Sequence, residues 1–182
     1  MKITSLLPRQ EVPSLDNPLV GGNRFILGSA PAENFDMLLF YRGLHCPICA
    51  KQLTEYEKHS SEFADRGVNI IAVSTDTEER AIKMTEKVHA SGVKVAYGLS
   101  LQDARDWGLY LSESLGKTST GIDEPKLFSE PALYLIKPDG TLYYATVQTM
   151  PFSRPSASDM LGAIDYAIKE DYPARGEYLG PI

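Results

Sequence analysis

The chain predicts an α/β fold: a three-layer sandwich with a mixed central sheet flanked by helices. Three observations carry this. Short continuous apolar runs alternate with longer stretches of helical period, a Pro-Asp-Gly turn joins two late apolar runs, and 182 residues suffice for one buried core. A single domain over 1–182 is expected, with an extended lead-in over 1–34 and a tail over 171–182.

The lead-in is rich in Pro, Gly and Asn, and "FIL" between glycines suggests a short strand or hairpin arm. "FDMLLFYR" (35–42) is continuously apolar at its centre, the pattern of a strand buried on both faces. From Pro47 the period changes. Ile48, Leu53, Tyr56 and Phe63 share one helical face, and Gly67 is the expected stop. "VNIIAVS" reads as a second buried strand, parallel to the first across a crossover. In "TDTEERAIKMTEKVHAS", Thr75 and Glu78 have capping-box spacing, and Asp76, Glu78 and Glu79 read as charges at a helix start. A short strand in "VKVAYGL" and a helix near "LQDARDWG" follow. Residues 111–129 form a long polar stretch with no element of their own, a length of loop that often carries function. "PALYLIK", the turn and "TLYYATVQ" make a hairpin. The closing helix places Met160, Leu161, Ile164 and Ile168 on one stripe.

Composition narrows the function classes. The chain is 43% hydrophobic and 23% charged with a net charge of −6, and no Lys/Arg cluster offers a nucleic-acid surface. No apolar run is long enough to span a bilayer, and "MKITSLLPRQ" lacks the apolar stretch of a secretory signal, so a cytoplasmic protein without membrane partners is expected. No phosphate-binding glycine motif suggests a nucleotide, and no cofactor is expected. Trp107 and most of the ten tyrosines read as packing.

Chemistry concentrates in "YRGLHCPICAKQL", which holds the two cysteines, Cys46 and Cys49. A C-x-x-C pair can bind metal, form an inert staple or cycle as a reversible disulfide. Structural zinc needs four ligands, and His59 and His89 have no paired spacing with the cysteines, so no metal is expected. A static disulfide fits poorly with a cytoplasmic location. A reduced, idle pair in a binding scaffold remains a third reading, with 111–129 holding the partner. Redox turnover fits best. Pro47 suits the first helical position, and Cys46 at that helix start would have its thiolate favoured by free N–H groups. Cys46 then reads as an exposed attacking thiol and Cys49 as a shielded resolving thiol, with Arg42 and His45 adding positive potential.

"LLFYRGLHCPICAKQL", "IIAVSTDT", "LYLIKPDG" and "SRPSASDMLGAID" together resemble the AhpC/TSA peroxiredoxin-like family of the thioredoxin-fold superfamily. The resemblance implies a thioredoxin-like fold, Cys46 as attacking cysteine and Cys49 as its resolving partner. It implies a hydroperoxide or disulfide substrate and a thioredoxin- or glutathione-type thiol reductant, with a homodimer among the expected assemblies. Three family positions differ. Leu39 stands seven residues before Cys46 where the family keeps a proline, Gly43 stands where it keeps a Thr or Ser, and Pro131 stands where it keeps an arginine. Arg154 matches a family arginine ahead of the closing helix. Thioredoxins keep a cis-proline opposite their disulfide, which Pro131 resembles, with an ordinary strand-start proline as the other reading. Glu130 beside it would then face the sulfurs and could relay a proton for Cys49, although a solvated Glu130 is the plainer expectation.

Overall fold

A computed structural model describes residues 5–182; the first four residues of the lead-in lie outside the described residues. Nine strands and five helices are present among them, beginning with the hairpin β1 (Asp16–Pro18) and β2 (Arg24–Ile26). The strand β3 (Phe35–Phe40) is buried at all six positions. Its residues alternate between two cores. Met37 and Leu39 join the cluster that contains both cysteines, whereas Leu38 and Phe40 join a second cluster around Trp107.

Helices α1 (Pro47–Lys58) and α2 (Ser60–Ala64) lead to β4 (Val68–Val73), which pairs with β3 in parallel from Phe35–Val68 to Phe40–Val73. The single helix expected as far as Gly67 is divided. The N–H of His59 reaches the Tyr56 carbonyl, three residues back, at 3.2 Å, and the tightened turn stacks Phe63 on Tyr56 with ring centroids 5.6 Å apart. Next come α3 (Glu78–Val88), β5 (Lys94–Ala96), α4 (Leu101–Asp106), β6 (Leu111–Glu113), β7 (Leu127–Ser129), β8 (Ala132–Ile136), β9 (Leu142–Val147) and α5 (Ala157–Lys169). The main sheet runs β5-β4-β3-β8-β9, with β8 and β9 antiparallel to their neighbours, so it is mixed as expected. Helices α1, α3 and α5 supply side chains to the core on one face, and α4 with the β1–β2 lead-in supplies the other.

Three local expectations change. Residues 111–129 are not a bare loop: β6 and β7 pair antiparallel at their base, and a Lys117–Asp123 bridge continues the arm. The α3 N-cap is Thr77 and no side chain caps it, so Thr75 makes no capping box. On α5, Met160, Leu161 and Ile164 are buried, but Ile168 is exposed and Ala167 faces the core instead. Among the described residues no helix is long and apolar enough to cross a membrane.

Candidate active site

Strand β3 delivers the chain into the centre of the sheet, and residues 41–45 carry it to α1. Cys46 is the N-cap, with extended φ −97° and ψ 104°, and its Sγ accepts from the Cys49 N–H at 3.2 Å. Pro47 fills the first helical position, where a missing N–H costs nothing. Cys49 follows one turn later and both cysteines are free. Cys46 is 1% exposed and Cys49 is fully buried, which corrects the expectation of an outward-facing Cys46. A strand buried on both faces hands its successor residues to the core, so residues 43–46 lie under cover although Pro47 is exposed.

The two sulfurs are electrostatically split. Hydrogen bonds from the Cys49 thiol and N–H, with Arg42 and Arg154 nearby, pull Cys46 down to about 6 against its burial. Burial, donation to Cys46 and that neighbour's charge push Cys49 up. Arg154 places Nη2 3.5 Å from the Cys49 sulfur. Cys46 is therefore the thiolate at neutral pH, and Cys49 the donor that stabilises it.

No match appears among curated protein sequences. The AhpC/TSA family model matches residues 8–145. The chain belongs to the AhpC/TSA family. Solved structures share the fold at low identity. A peroxiredoxin-like protein from Aquifex aeolicus is 16% identical with a TM-score of 0.71, covering 89% of this chain and 88% of that one. Peroxidoxin BcpB from Mycobacterium tuberculosis is 17% identical with a TM-score of 0.69, covering 90% and 98%. AhpC from Mycobacterium tuberculosis is 12% identical with a TM-score of 0.71, covering 91% and 99%.

Against that AhpC/TSA background, Gly43 has a physical explanation. Its φ is +132°, and a Cβ built there would stand 2.7 Å from one Asp76 carboxylate oxygen and 2.9 Å from the other. No hydroxyl-bearing side chain fits at this position with Asp76 where it is. Asp76 is itself a correction: the expected helix-start charge is buried, paired with Arg80 at 2.7 Å and accepting from the Leu44 N–H at 2.7 Å. The spacing Asp76–Arg80, one helical turn, was the only local sign of this pair.

His45 does not add positive potential. It is fully buried, and burial, then Arg42 and Arg80, lower it to about 4, so it is neutral. The Arg80 guanidinium donates to its Nδ1 at 3.2 Å, which leaves the proton on Nε2. Its ring meets Phe128 edge-on at 4.7 Å.

Glu130 is not solvated, and its carboxylate is engaged by partners other than the sulfurs. It is buried, accepts from the Ser112 hydroxyl at 2.6 Å and pairs with Arg42 at 3.4 Å. Arg42 also meets Glu124 at 3.4 Å and lies over the Phe128 ring at 4.8 Å. The β6–β7 arm thus supplies Glu124 and Phe128 to the surroundings of Cys46, contacts that no local pattern announces. Pro131 precedes β8 with its carbonyl accepting from the Gln148 N–H at 2.9 Å. No cis peptide bond occurs among the described residues, so the thioredoxin-like cis-proline is absent.

Among the described residues no group of three His, Cys, Asp or Glu side chains is placed to hold a metal ion. A groove of about 200 Å³ lies beside α1, lined by Ile48, Gln52, Phe152 and Arg154 among others. A larger apolar cavity of about 720 Å³ lies between β9, α5 and the tail, and neither cysteine lines it.

Proposed function

We propose that this AhpC/TSA protein is a thiol-dependent oxidoreductase in which Cys46 attacks a small oxidant and Cys49 resolves the product. The observation that carries the reading is the split pair: one sulfur held as thiolate by hydrogen bonds from the other residue's thiol and amide. A hydroperoxide is the substrate that suits the site, because a cysteine 1% exposed admits a small molecule more readily than a folded disulfide-bearing chain. The Cys46 thiolate attacks the terminal peroxide oxygen and the O–O bond breaks. The departing alkoxide or hydroxide takes up a proton, and Cys46 becomes a sulfenic acid. The Cys49 sulfur then attacks Cys46, and its proton leaves with the hydroxyl as water. Arg154 faces the Cys49 sulfur and steadies its charge as that proton departs. Two external thiol groups, both from one thioredoxin-type dithiol or one from each of two glutathione-type monothiols, return the disulfide to the dithiol and leave as a disulfide themselves. A reducing compartment such as the cytoplasm would supply them.

A second reading, exchange with a disulfide substrate, is favoured by Gly43, since no hydroxyl is present to orient a peroxide. Stopped-flow oxidation of the reduced protein by hydrogen peroxide and by a small model disulfide separates the two. Faster reaction with peroxide, followed by a Cys46–Cys49 disulfide in the mass spectrum, is expected. Sluggish peroxide consumption beside rapid exchange would establish the second reading, and inertness to both would leave a binding scaffold.

A further inference from the structure

Residues 43–45 are held by a pair that the proposed chemistry does not use. Asp76 lies in the turn between β4 and α3, and its backbone is tied to its surroundings. Its carbonyl accepts from Gly98 at 2.9 Å, and its N–H meets the Ser74 hydroxyl at 3.3 Å. From that base one carboxylate oxygen accepts from the Leu44 N–H and the other from Arg80 Nε, each at 2.7 Å. Arg80 extends the grip, donating to His45 Nδ1 and to the Asp123 carbonyl, each at 3.2 Å. Gly43 packs its bare Cα side against the same carboxylate. Every residue of the three before Cys46 therefore touches Asp76 or Arg80. The Cys46 N–H closes the turn onto the Gly43 carbonyl at 3.0 Å.

We propose that Asp76 and Arg80 are positioning residues for Cys46, setting the loop that holds its sulfur at the α1 N-terminus. The inference rests on Cys46 being the attacking thiol. The titratable and charged groups acting on Cys46 itself are Cys49, Arg42 and Arg154. The pair acts through the backbone of residues 43–45 instead. Guanidinium geometry is essential to that role, because one planar group serves Asp76, His45 and Asp123 together, which a lysine ammonium on a flexible stem does not reproduce.

The test is the pH profile of Cys46 alkylation by iodoacetamide in the full chain, with thermal unfolding recorded alongside. Arg80→Ala and Arg80→Lys should both raise the Cys46 midpoint by about one pH unit, slowing alkylation at pH 6 roughly fivefold. A folded Arg80→Ala with the wild-type profile would overturn the proposal. So would full restoration by Arg80→Lys, which would reduce Arg80 to a bare charge. Should Arg80→Ala fail to fold, Arg80→Lys and the isosteric Asp76→Asn carry the same comparison. A wild-type Cys46 titrating as an ordinary thiol would instead remove the reading on which the inference rests, an outcome visible before any variant is made.

Discussion

Gly43→Ala tests the geometry most directly. The added Cβ would meet the Asp76 carboxylate at 2.7–3.0 Å, and that carboxylate cannot retreat without loosening its bonds to Leu44 and Arg80. Holding a side-chain-bearing residue at φ +132° costs about 1–3 kcal/mol. Losing a hydrogen bond to a buried charged acceptor costs about 1.5–3 kcal/mol more. Together these are worth about 4 kcal/mol, a large part of the ~5–15 kcal/mol that holds a typical domain folded. For a chain of this length that corresponds to a fall in Tm of roughly 8–16 °C, measurable by circular dichroism or calorimetry. Gly43→Thr, which restores the family's hydroxyl by name, should fall at least as far and gain no peroxide reactivity. A Gly43→Ala protein melting within about 2 °C of wild type would refute the close approach of Asp76.

His45 predicts a pH-dependent stability. The native ring refuses a proton until about pH 4, whereas the unfolded residue accepts one near 6.5, so its stabilising contribution is complete above 6.5 and is lost as pH falls toward 4. The loss is about 3 kcal/mol, read as the difference between wild type and His45→Gln in urea titrations at pH 7 and pH 4; parallel curves at both pH values would rule it out. Cys49→Ala removes the thiol donor and should move Cys46 upward from about 6, seen in thiolate ultraviolet absorbance. Arg154→Met should prolong the life of the Cys46 sulfenic acid, scored by dimedone labelling after a peroxide pulse, and unchanged labelling would deny Arg154 its place beside Cys49. Trp107→Ala empties the aromatic cluster with Phe40 and Tyr134 and should cost about 3–5 kcal/mol without altering the Cys46 titration.

Much of the fold was legible because its signals are local. The apolar run 35–40 and the shift to helical period at Pro47 report one segment at a time, and the structure keeps both. The C-x-x-C at a helix start was legible for the same reason. Partners distant in sequence were not. Arg42 acts on Cys46 as its place four residues ahead suggested, but its acidic partners Glu124 and Glu130 reach it only through chain reversal. Asp76 carried the surface signature of a helix start and is drawn inward by contacts to residues 43–44 and 98. The burial of Cys46 followed from β3 being central, which depends on β4 and β8 flanking it. Gly43 was the one visible clue, read as a lost hydroxyl when it also marked a place where a carboxylate touches the backbone.

The hydrogen bonds that Cys49 gives Cys46 bear on redox poise as well as on rate. A thiol held near 6 rather than 9.0 favours the reduced pair at neutral pH, because one of its sulfurs is already stabilised as thiolate. The reduction potential of the couple is therefore more oxidising than that of an otherwise equal pair of ordinary thiols. In the proposed cycle, the feature that arms Cys46 against an oxidant would therefore also weaken the disulfide that follows, leaving the oxidised state easy for a thiol donor to undo.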